Sequence, residues 1–340
     1  MAFVRFTRTG LEASGEGAGQ RLLAFIDTVL RGAGQVMFQE NSYTGLLFII
    51  GIAWNSLLFA GAAVLGTVVS TITAGVLGAD RALIRAGMFG FNGALVGIAL
   101  LYFLEPNALA WGCVVLAAAC STIMMAALMT LLDAWKMPAL TAPFVFTSLC
   151  FFLATARFGR LQSTDLLPTA GLPGAVMVEG VVTPATVADG LFNGIAQVFF
   201  QGSVVTGVIF AVGLLVASRI ACVAALAGSL AGLLVAWGMG AAEPAIRAGA
   251  YGFNSVLTAI ALAGVFLAPT RMGVAYALLG AIATPFVVAA AAAALEPLGM
   301  PALTLPFVLV TWLFLFASRL LPALQPAGVP GVAPGQDPMP

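Results

Sequence analysis

The sequence predicts an all-α polytopic membrane protein. Hydrophobic residues make up 61% of the 340 positions and charged residues only 8%, whereas a soluble domain carries about 25% charged residues. The apolar runs are long, numerous and nearly free of charge, which favours spanning helices of about 20 residues over barrel strands of alternating polarity. A third observation, a duplication of the whole chain, divides these helices into two halves.

The duplication is based on three motifs that occur once in each half. They are Gln-Val-x-Phe-Gln at 35–39 and 197–201, Gly-Phe-Asn at 90–92 and 252–254, and Met-Pro-Ala-Leu-Thr-x-Pro-Phe at 137–144 and 300–307. The first two motifs repeat after 162 positions and the third after 163. The second half therefore carries one inserted residue between Gly-Phe-Asn and the proline segment.

Composition divides the chain into five segments. They are a polar N-terminal segment at 1–19, a first repeat at 20–157, a linker at 158–188, a second repeat at 189–321 and a proline-rich tail at 322–340. The proline spacing forbids continued helix in the tail, which we expect to be disordered. Arg5, Arg8 and Arg21 predict a cytoplasmic N-terminus by the positive-inside rule.

Each repeat is predicted to cross the membrane five times. The predicted spans are 43–60, 62–79, 87–104, 108–132 and 139–157, then 204–220, 221–240, 249–268, 270–295 and 302–321. The shorter apolar stretches at 22–38 and 190–201 each predict one re-entrant half-helix. An odd number of crossings makes the repeats inverted, with a central pore between the halves, whereas six crossings per half would make them parallel.

Residue usage argues against several functional classes. The chain has no histidine, which removes the commonest proton shuttle and metal ligand, and no catalytic cluster indicates an enzyme. The basic residues are scattered and leave no footprint for nucleic acid. The four cysteines lie in apolar runs without a Cys-x-x-Cys pair and predict free thiols. We expect no cofactor, no metal ion and no nucleic-acid partner for this protein of the lipid bilayer.

The glutamine motif places two amides beside a break in each half. Gln35 and Gln39 are four residues apart and are expected to share a helical face, as are Gln197 and Gln201. A glutamine in an apolar helix often only bonds a neighbouring helix. Recurrence in both halves leaves that role and pore lining both open.

The Gly-Phe-Asn motif is followed in both halves by a leucine. Phe91 is four residues from Leu95, and Phe253 is four residues from Leu257. Phenylalanine in a spanning helix normally packs against other helices or lipid. Between glycine and asparagine it can instead hold a ring edge toward a narrow pore, because glycine permits close approach. Both interpretations stay open.

The proline segment places Thr141 and Thr304 at membrane depth, where a hydroxyl costs free energy unless it is hydrogen-bonded. Pro138 suits the first turn of a helix, and Pro143 is expected to free the carbonyl of Ala139 one turn earlier, as is its counterpart in the second half. The hydroxyls either bond back to their own helices or form a polar waist between the halves.

Together these motifs supply amides, hydroxyls, backbone carbonyls and aromatic rings, with no required charge. Carbonyl oxygens accept hydrogen bonds from amine groups, and threonine or glutamine can donate to a carbonyl. Facing rings admit a planar molecule and exclude hydrated ions. The lining therefore suits a neutral, flat, hydrogen-bonding solute such as urea.

The doubled Met-Pro-Ala-Leu-Thr-x-Pro-Phe segment, with Gly-Phe-Asn and Gln-Val-x-Phe before each copy, resembles the urea transporter family over about residues 20–320. The resemblance implies inverted repeats of spanning helices, each with one re-entrant helix. It also implies a homotrimer with one pore per subunit, through which urea passes passively and in single file. A bacterial member in the cytoplasmic (inner) membrane is the expected identity.

The resemblance assigns the site residues to three groups. The oxygen ladders contain Gln35 and Gln197, the slots contain Phe38, Phe91, Phe200 and Phe253, and the waist contains Val36, Leu95, Thr141, Val198, Leu257 and Thr304. Some bacterial relatives carry a glutamate at the position of Gln197. A neutral ladder predicts only a small leak of ammonium.

The alternative is a secondary active transporter of a small neutral or amide solute, coupled to an ion gradient. Coupling would need a carboxylate inside the membrane, and the candidates are Glu40, Glu105, Asp133 and Glu296. Each lies at the end of a predicted segment, where a charge usually anchors the helix at the interface. This pattern favours passive transport.

Overall fold

The structure is a computed structural model that describes residues 3–14, 17–174 and 178–327. The first half contains β1 (Phe3–Phe6), β2 (Leu11–Ser14), α1 (Ala18–Gln35), α2 (Ser42–Asn55), α3 (Leu57–Val76), α4 (Arg81–Arg85), α5 (Gly90–Phe103), α6 (Ala108–Asp133) and α7 (Ala142–Ala154). The second half contains α8 (Pro184–Ala196), α9 (Val204–Ala217), α10 (Arg219–Gly238), α11 (Glu243–Arg247), α12 (Gly252–Ile260), α13 (Arg271–Leu295) and α14 (Leu305–Ser318). A π-helical turn, Ala261–Val265, follows α12.

The helices make this an all-α polytopic membrane protein, apart from the small β1–β2 hairpin. Within the described residues, five helical segments are long and apolar enough to span a membrane, and a sixth is the bent pair α8 and α9, whose axes differ by 73°. Four further apolar helices, α2, α5, α7 and α14, have only 13 or 14 residues. The ten crossings of the sequence analysis stay a prediction.

The N-terminal segment is not a plain solvent-exposed lead-in, because residues 3–14 form an antiparallel hairpin on α1. The backbone N–H of Leu11 donates to Asp27 Oδ1 at 2.7 Å, and Arg31 Nε lies 2.7 Å from the other oxygen of this carboxylate. The hairpin and the ion pair satisfy a carboxylate that is only 6% exposed. They explain how the interrupted apolar stretch at 22–38 tolerates two charged side chains.

Two serines set helix breaks that the sequence analysis placed too late. The break expected at Gly61 lies at Ser56, and its counterpart in the second half lies at Ser218. Both serines have extended backbone and accept a backbone N–H bond on Oγ, which caps the helix that follows. The N-cap preference of serine is therefore the signal for these breaks.

The proline segments start their helices later than predicted. The spans expected from 139 and 302 begin at Ala142 and Leu305. The preceding residues are not helical, and Leu140 and Leu303 both have a left-handed backbone with φ of 52°. An ordinary leucine gives no local signal for this conformation, which is unfavourable for residues with a branched side chain.

Because of these later starts, Pro143 and Pro306 lie in the first turn of α7 and α14, where a missing N–H costs little. The expectation that they free the carbonyls of Ala139 and Ala302 is wrong. Each of these carbonyls accepts from the amide three residues later, at 3.3 Å in the first half and 3.1 Å in the second.

The segment boundaries also change at the linker and the tail. The linker predicted at 158–188 ends earlier, because α8 already begins at Pro184, where Thr183 caps it. In the tail predicted at 322–340, Pro326 forms a β-bridge with Leu267, and the amide of Ala327 donates to the carbonyl of Phe266. The tail is thus ordered through 327, and residues 328–340 lie outside the described residues.

The two halves meet through reciprocal hydrogen bonds between α2 and α9. Thr44 Oγ1 donates to the carbonyl of Gly213 at 2.8 Å, and Thr206 Oγ1 donates to the carbonyl of Gly51 at 2.9 Å. These threonines and glycines are 162-residue counterparts, so each half makes the same contact to the other, as in an isologous interface. The order of the contacts shows that α2 and α9 run antiparallel.

The π-helical turn lies where the repeat shifts from 162 to 163 residues. Gly252 in α12 still matches Gly90 at 162, but the bridge between Leu267 and Pro326 matches the bridge between Leu104 and Ser163 at 163. A π-turn is a common way for a helix to absorb one inserted residue. The structure thereby locates the insertion predicted from the motifs.

We expect Thr44→Val and Thr206→Val to destabilise the protein to the same extent. Each removes one buried hydrogen bond between the halves, worth about 0.6–1 kcal/mol. Thermal unfolding of the detergent-solubilised protein measures the change. Thr130→Val is the matched control, because the exposed Thr130 hydroxyl bonds only the Ala126 carbonyl of its own helix. Unequal losses for the two variants would contradict the reciprocal contact.

Candidate functional site

Two cavities collect half of the predicted site residues. The larger cavity, of about 770 Å³, is lined by Gln35, Phe38 and Phe91 among others. The smaller cavity, of about 240 Å³, is lined by their counterparts in the second half, which are Gln197, Phe200 and Phe253. The structure therefore brings the predicted ladder and slot residues together as two matched groups, one in each cavity.

A pair of threonine hydroxyls lies between the two cavities. Thr141 Oγ1 is 2.6 Å from Thr304 Oγ1, and both residues are only 2% exposed. Thr141 directly follows Leu140, which lines the larger cavity, and Thr304 follows Leu303, which lines the smaller one. Among the described residues each hydroxyl has no other hydrogen-bond partner. The alternative in which each threonine bonds back to its own helix is therefore wrong.

The remaining predicted waist residues line neither cavity. Val36, Val198, Leu95 and Leu257 are all 1% exposed or less. They lie one residue after each ladder glutamine, or one helical turn after Phe91 and Phe253, and so are buried behind the cavity walls. Their contact with a solute stays a prediction.

Each cavity contains a pair of perpendicular phenylalanine rings that the sequence analysis only half identified. The rings of Phe38 and Phe266 are 5.8 Å apart at 86° in the larger cavity. The rings of Phe200 and Phe103 are 6.0 Å apart at 88° in the smaller one. Edge-to-face contact is a preferred arrangement for aromatic pairs. Phe103 and Phe266 were missed.

A sequence signal for the missed pair does exist. Phe-Leu-x-Pro occurs at 103–106 and again at 266–269, a separation of 163 residues. Each of these two phenylalanines meets a slot ring of the other half, so both halves build each cavity. The fourth motif marks the position at which the second half has already absorbed its inserted residue.

The slot rings are placed by a tight turn after the glutamine helix. Phe38 and Phe200 have left-handed backbones, with φ of 62° and 60°. Gln39 Nε2 donates to the Met37 carbonyl at 2.7 Å, and Gln201 makes the matching bond to Phe199 at 2.6 Å. Because α1 ends at Gln35, the expectation that Gln35 and Gln39 share a helical face is wrong, and the same holds for their counterparts. The second glutamine of each motif holds the turn.

An asparagine from each Gly-Phe-Asn motif holds the start of the proline segment. Asn92 Nδ2 donates to the Leu140 carbonyl at 3.4 Å, and Asn92 Oδ1 accepts from the Phe144 amide at 3.1 Å. Asn254 makes the corresponding two bonds in the second half, both at 3.1 Å. These bonds pair backbone groups on either side of each waist threonine. They satisfy polar groups that the interrupted helix would otherwise leave unpaired at membrane depth.

The two cavities differ in polarity. Gln35 Nε2 donates to the Ala86 carbonyl at 2.8 Å, whereas Gln197 makes no side-chain hydrogen bond within the described part of the chain. The larger cavity also contains the ion pair of Asp133 and Lys136, at 3.2 Å, together with Arg319. No charged side chain lines the smaller cavity. The charges therefore lie at one mouth only, away from the threonine pair.

Comparison with known proteins places the chain among transporters. The family described as Urea transporter matches residues 26–319. Urea transporter 1 of Ovis aries is 33% identical over 304 residues, which cover 88% of this chain and 79% of the relative. Urea transporter 1 of Rattus norvegicus is 32% identical over 298 residues, covering 86% of this chain and 77% of the relative. The chain therefore belongs to the urea transporter family.

Proposed function

We propose that this protein is a channel that lets urea and close neutral analogues cross the membrane passively. The path runs from the larger cavity, past Thr141 and Thr304, to the smaller cavity. The observation that carries the proposal is the pair of chemically matched cavities that meet at these two hydroxyls. A solute moving in either direction meets an amide, aromatic rings, a hydroxyl pair and then the same groups in reverse order.

The chemistry of the lining suits urea. Urea is planar, with four N–H donors and one carbonyl acceptor. The Gln35 and Gln197 side chains each offer a carbonyl to the donors, and their NH₂ groups or the threonine hydroxyls can donate to the carbonyl of the solute. The rings of Phe38 and Phe200, with the perpendicular rings beside them, fit flat molecules. Hydrated ions would lose their water shell without receiving compensating charges.

Membership in the family supports an inverted arrangement of the two halves, which we propose for this chain. The antiparallel contact of α2 with α9 places the pseudo-two-fold axis across these helices, as an axis in the membrane plane requires. A homotrimer with one pore per subunit remains our prediction. So does the assignment to a bacterial cytoplasmic membrane, since the relatives named above are mammalian.

We also propose that the larger cavity opens to the cytoplasm. Lys136 and Arg319 line it, and the smaller cavity has no lysine or arginine in its wall. Basic residues near the ends of spanning helices concentrate on the cytoplasmic side. The same rule predicts a cytoplasmic N-terminus.

A secondary active mechanism is not favoured, because no candidate carboxylate is suitably placed. Glu40, Glu105 and Asp133 are exposed and Glu296 is only partly buried. Asp27, the buried carboxylate of the first half, is held by Arg31 and by the hairpin. An ion-coupling carboxylate would need to exchange its partner during transport.

The first prediction concerns the driving force. Proteoliposomes that contain the purified chain are expected to equilibrate urea rapidly without any ion gradient, because the path needs no charged partner. Stopped-flow light scattering with a urea gradient measures the rate. Flux equal to that of protein-free vesicles would contradict transport. Flux that appears only with a proton or sodium gradient would instead establish the coupled alternative.

The second prediction concerns the hydroxyl pair. Thr141→Val or Thr304→Val is expected to slow urea flux about fivefold, since a hydrogen bond to the solute is worth about 1 kcal/mol. Thr141→Ser keeps the hydroxyl and is expected to keep most of the flux. Exposed Thr130→Val serves as the unaffected control. Normal urea flux in the double valine variant would remove the hydroxyls from the path.

The third prediction concerns the two phenylalanines that only the structure identified. Phe266→Leu and Phe103→Leu each remove one ring of a perpendicular pair worth about 0.5–1.5 kcal/mol. We expect both to reduce the preference for urea over non-planar glycerol, measured as the ratio of the two fluxes. Phe286→Leu is the control, since this ring of α13 is 51% exposed. An unchanged ratio in both variants would exclude these rings from selectivity.

A further inference from the structure

An apolar groove of about 500 Å³ lies on the outer surface of the second half. It is bordered by α10, α13 and the π-helical turn, with Val223 and Val274 on opposite sides. Val223 is 65% exposed and Val274 is 49% exposed, so the groove opens outward rather than toward the two central cavities. In a spanning protein such a surface faces lipid or another protein chain.

The matching surface of the first half is filled by a side chain of the protein itself. Val223 corresponds to Gly61 at 162 residues, and Val274 corresponds to Trp111 at 163 residues. Trp111 covers Gly61, because a Cβ added at Gly61 would lie 3.7 Å from Trp111 Cη2. The exchange of tryptophan for valine therefore leaves space in the second half that the first half does not have.

The inserted residue alters the same groove. Ala263 lines it, and both Ala263 and Gly264 depart from helical backbone, with a φ of 127° at Gly264. In the first half α5 continues without a break to Phe103. The groove is thus a feature of the second half alone, produced by the insertion and by smaller side chains.

Two arginines lie at one end of the groove. Arg219 lines it at the start of α10, and Arg271 lies one turn before Val274 at the start of α13. Both side chains belong to exposed residues, and neither forms an ion pair in the described ranges. Their first-half counterparts are the apolar Leu57 and Ala108. Positive charge therefore accompanies the open groove and is absent where the groove is filled.

We propose that this groove binds one anionic phospholipid of the surrounding bilayer. An acyl chain lies between α10 and α13 beside the π-helical turn, and the phosphate contacts Arg219 and Arg271. The apolar wall accounts for the chain, and the two unpaired arginines at the helix ends account for the preference for negative charge. This site is separate from the path proposed for the solute.

Lipid binding to the purified full chain tests the proposal. Native mass spectrometry is used to compare phosphatidylglycerol with phosphatidylcholine after delipidation. The wild type is expected to retain phosphatidylglycerol preferentially, and Arg219→Gln with Arg271→Gln is expected to weaken that binding about tenfold or more. Val274→Trp, which installs the first-half residue in the groove, is expected to reduce phosphatidylglycerol retention with both arginines still present.

Arg157→Gln with Arg160→Gln is the matched control, because these arginines are also exposed and without an ion pair among the described residues. This variant should bind phosphatidylglycerol as the wild type does. Thermal unfolding confirms that each variant is folded. Equal retention of the two lipids, or unchanged binding in the arginine variant, would overturn the proposal. A Val274→Trp variant that changes oligomeric size but not lipid binding would instead make the groove an interface between copies of the chain.

Discussion

Each half interrupts its helices at membrane depth, and every interruption exposes backbone groups that hydrocarbon cannot hydrogen-bond. The structure meets this constraint with one asparagine per half. Asn92 and Asn254 each pair a carbonyl before a waist threonine with an amide after it. Because these bonds already satisfy the local backbone, the hydroxyls of Thr141 and Thr304 are free to meet each other. The polar waist depends on this prior pairing.

The second determinant is the reciprocal packing of the halves. Thr44 and Thr206 fix α2 against α9, and the slot rings of each half meet rings of the other. A contact of this kind cannot change in one half without losing its match in the other. This explains why the residues around the two cavities stay equivalent although much of the remaining sequence differs between the halves.

The sequence predicted the fold class, the duplication and the pairing of cavity residues, because composition and repeated motifs report them directly. It did not predict where α7 and α14 begin. The left-handed backbone of Leu140 is imposed by its bond to Asn92, a residue 48 positions away, and not by any local preference of leucine. Phe266 was missed for a different reason, since the inserted residue shifts its match to Phe103 from 162 to 163 residues. Tertiary hydrogen bonds and an insertion thus account for the main differences.

The insertion also shows where the protein tolerates asymmetry. The mismatch is confined to the π-helical turn, so that Asn254 before it and Phe266 after it both keep positions equivalent to those in the first half. The distorted backbone at Ala263 and Gly264 borders the outer groove instead. Lipid on that side is fluid and can fill an irregular surface, whereas the aromatic and hydroxyl contacts inside require fixed distances. Divergence between the halves is therefore least costly on the outer surface, and that is where the arginines and the open groove occur.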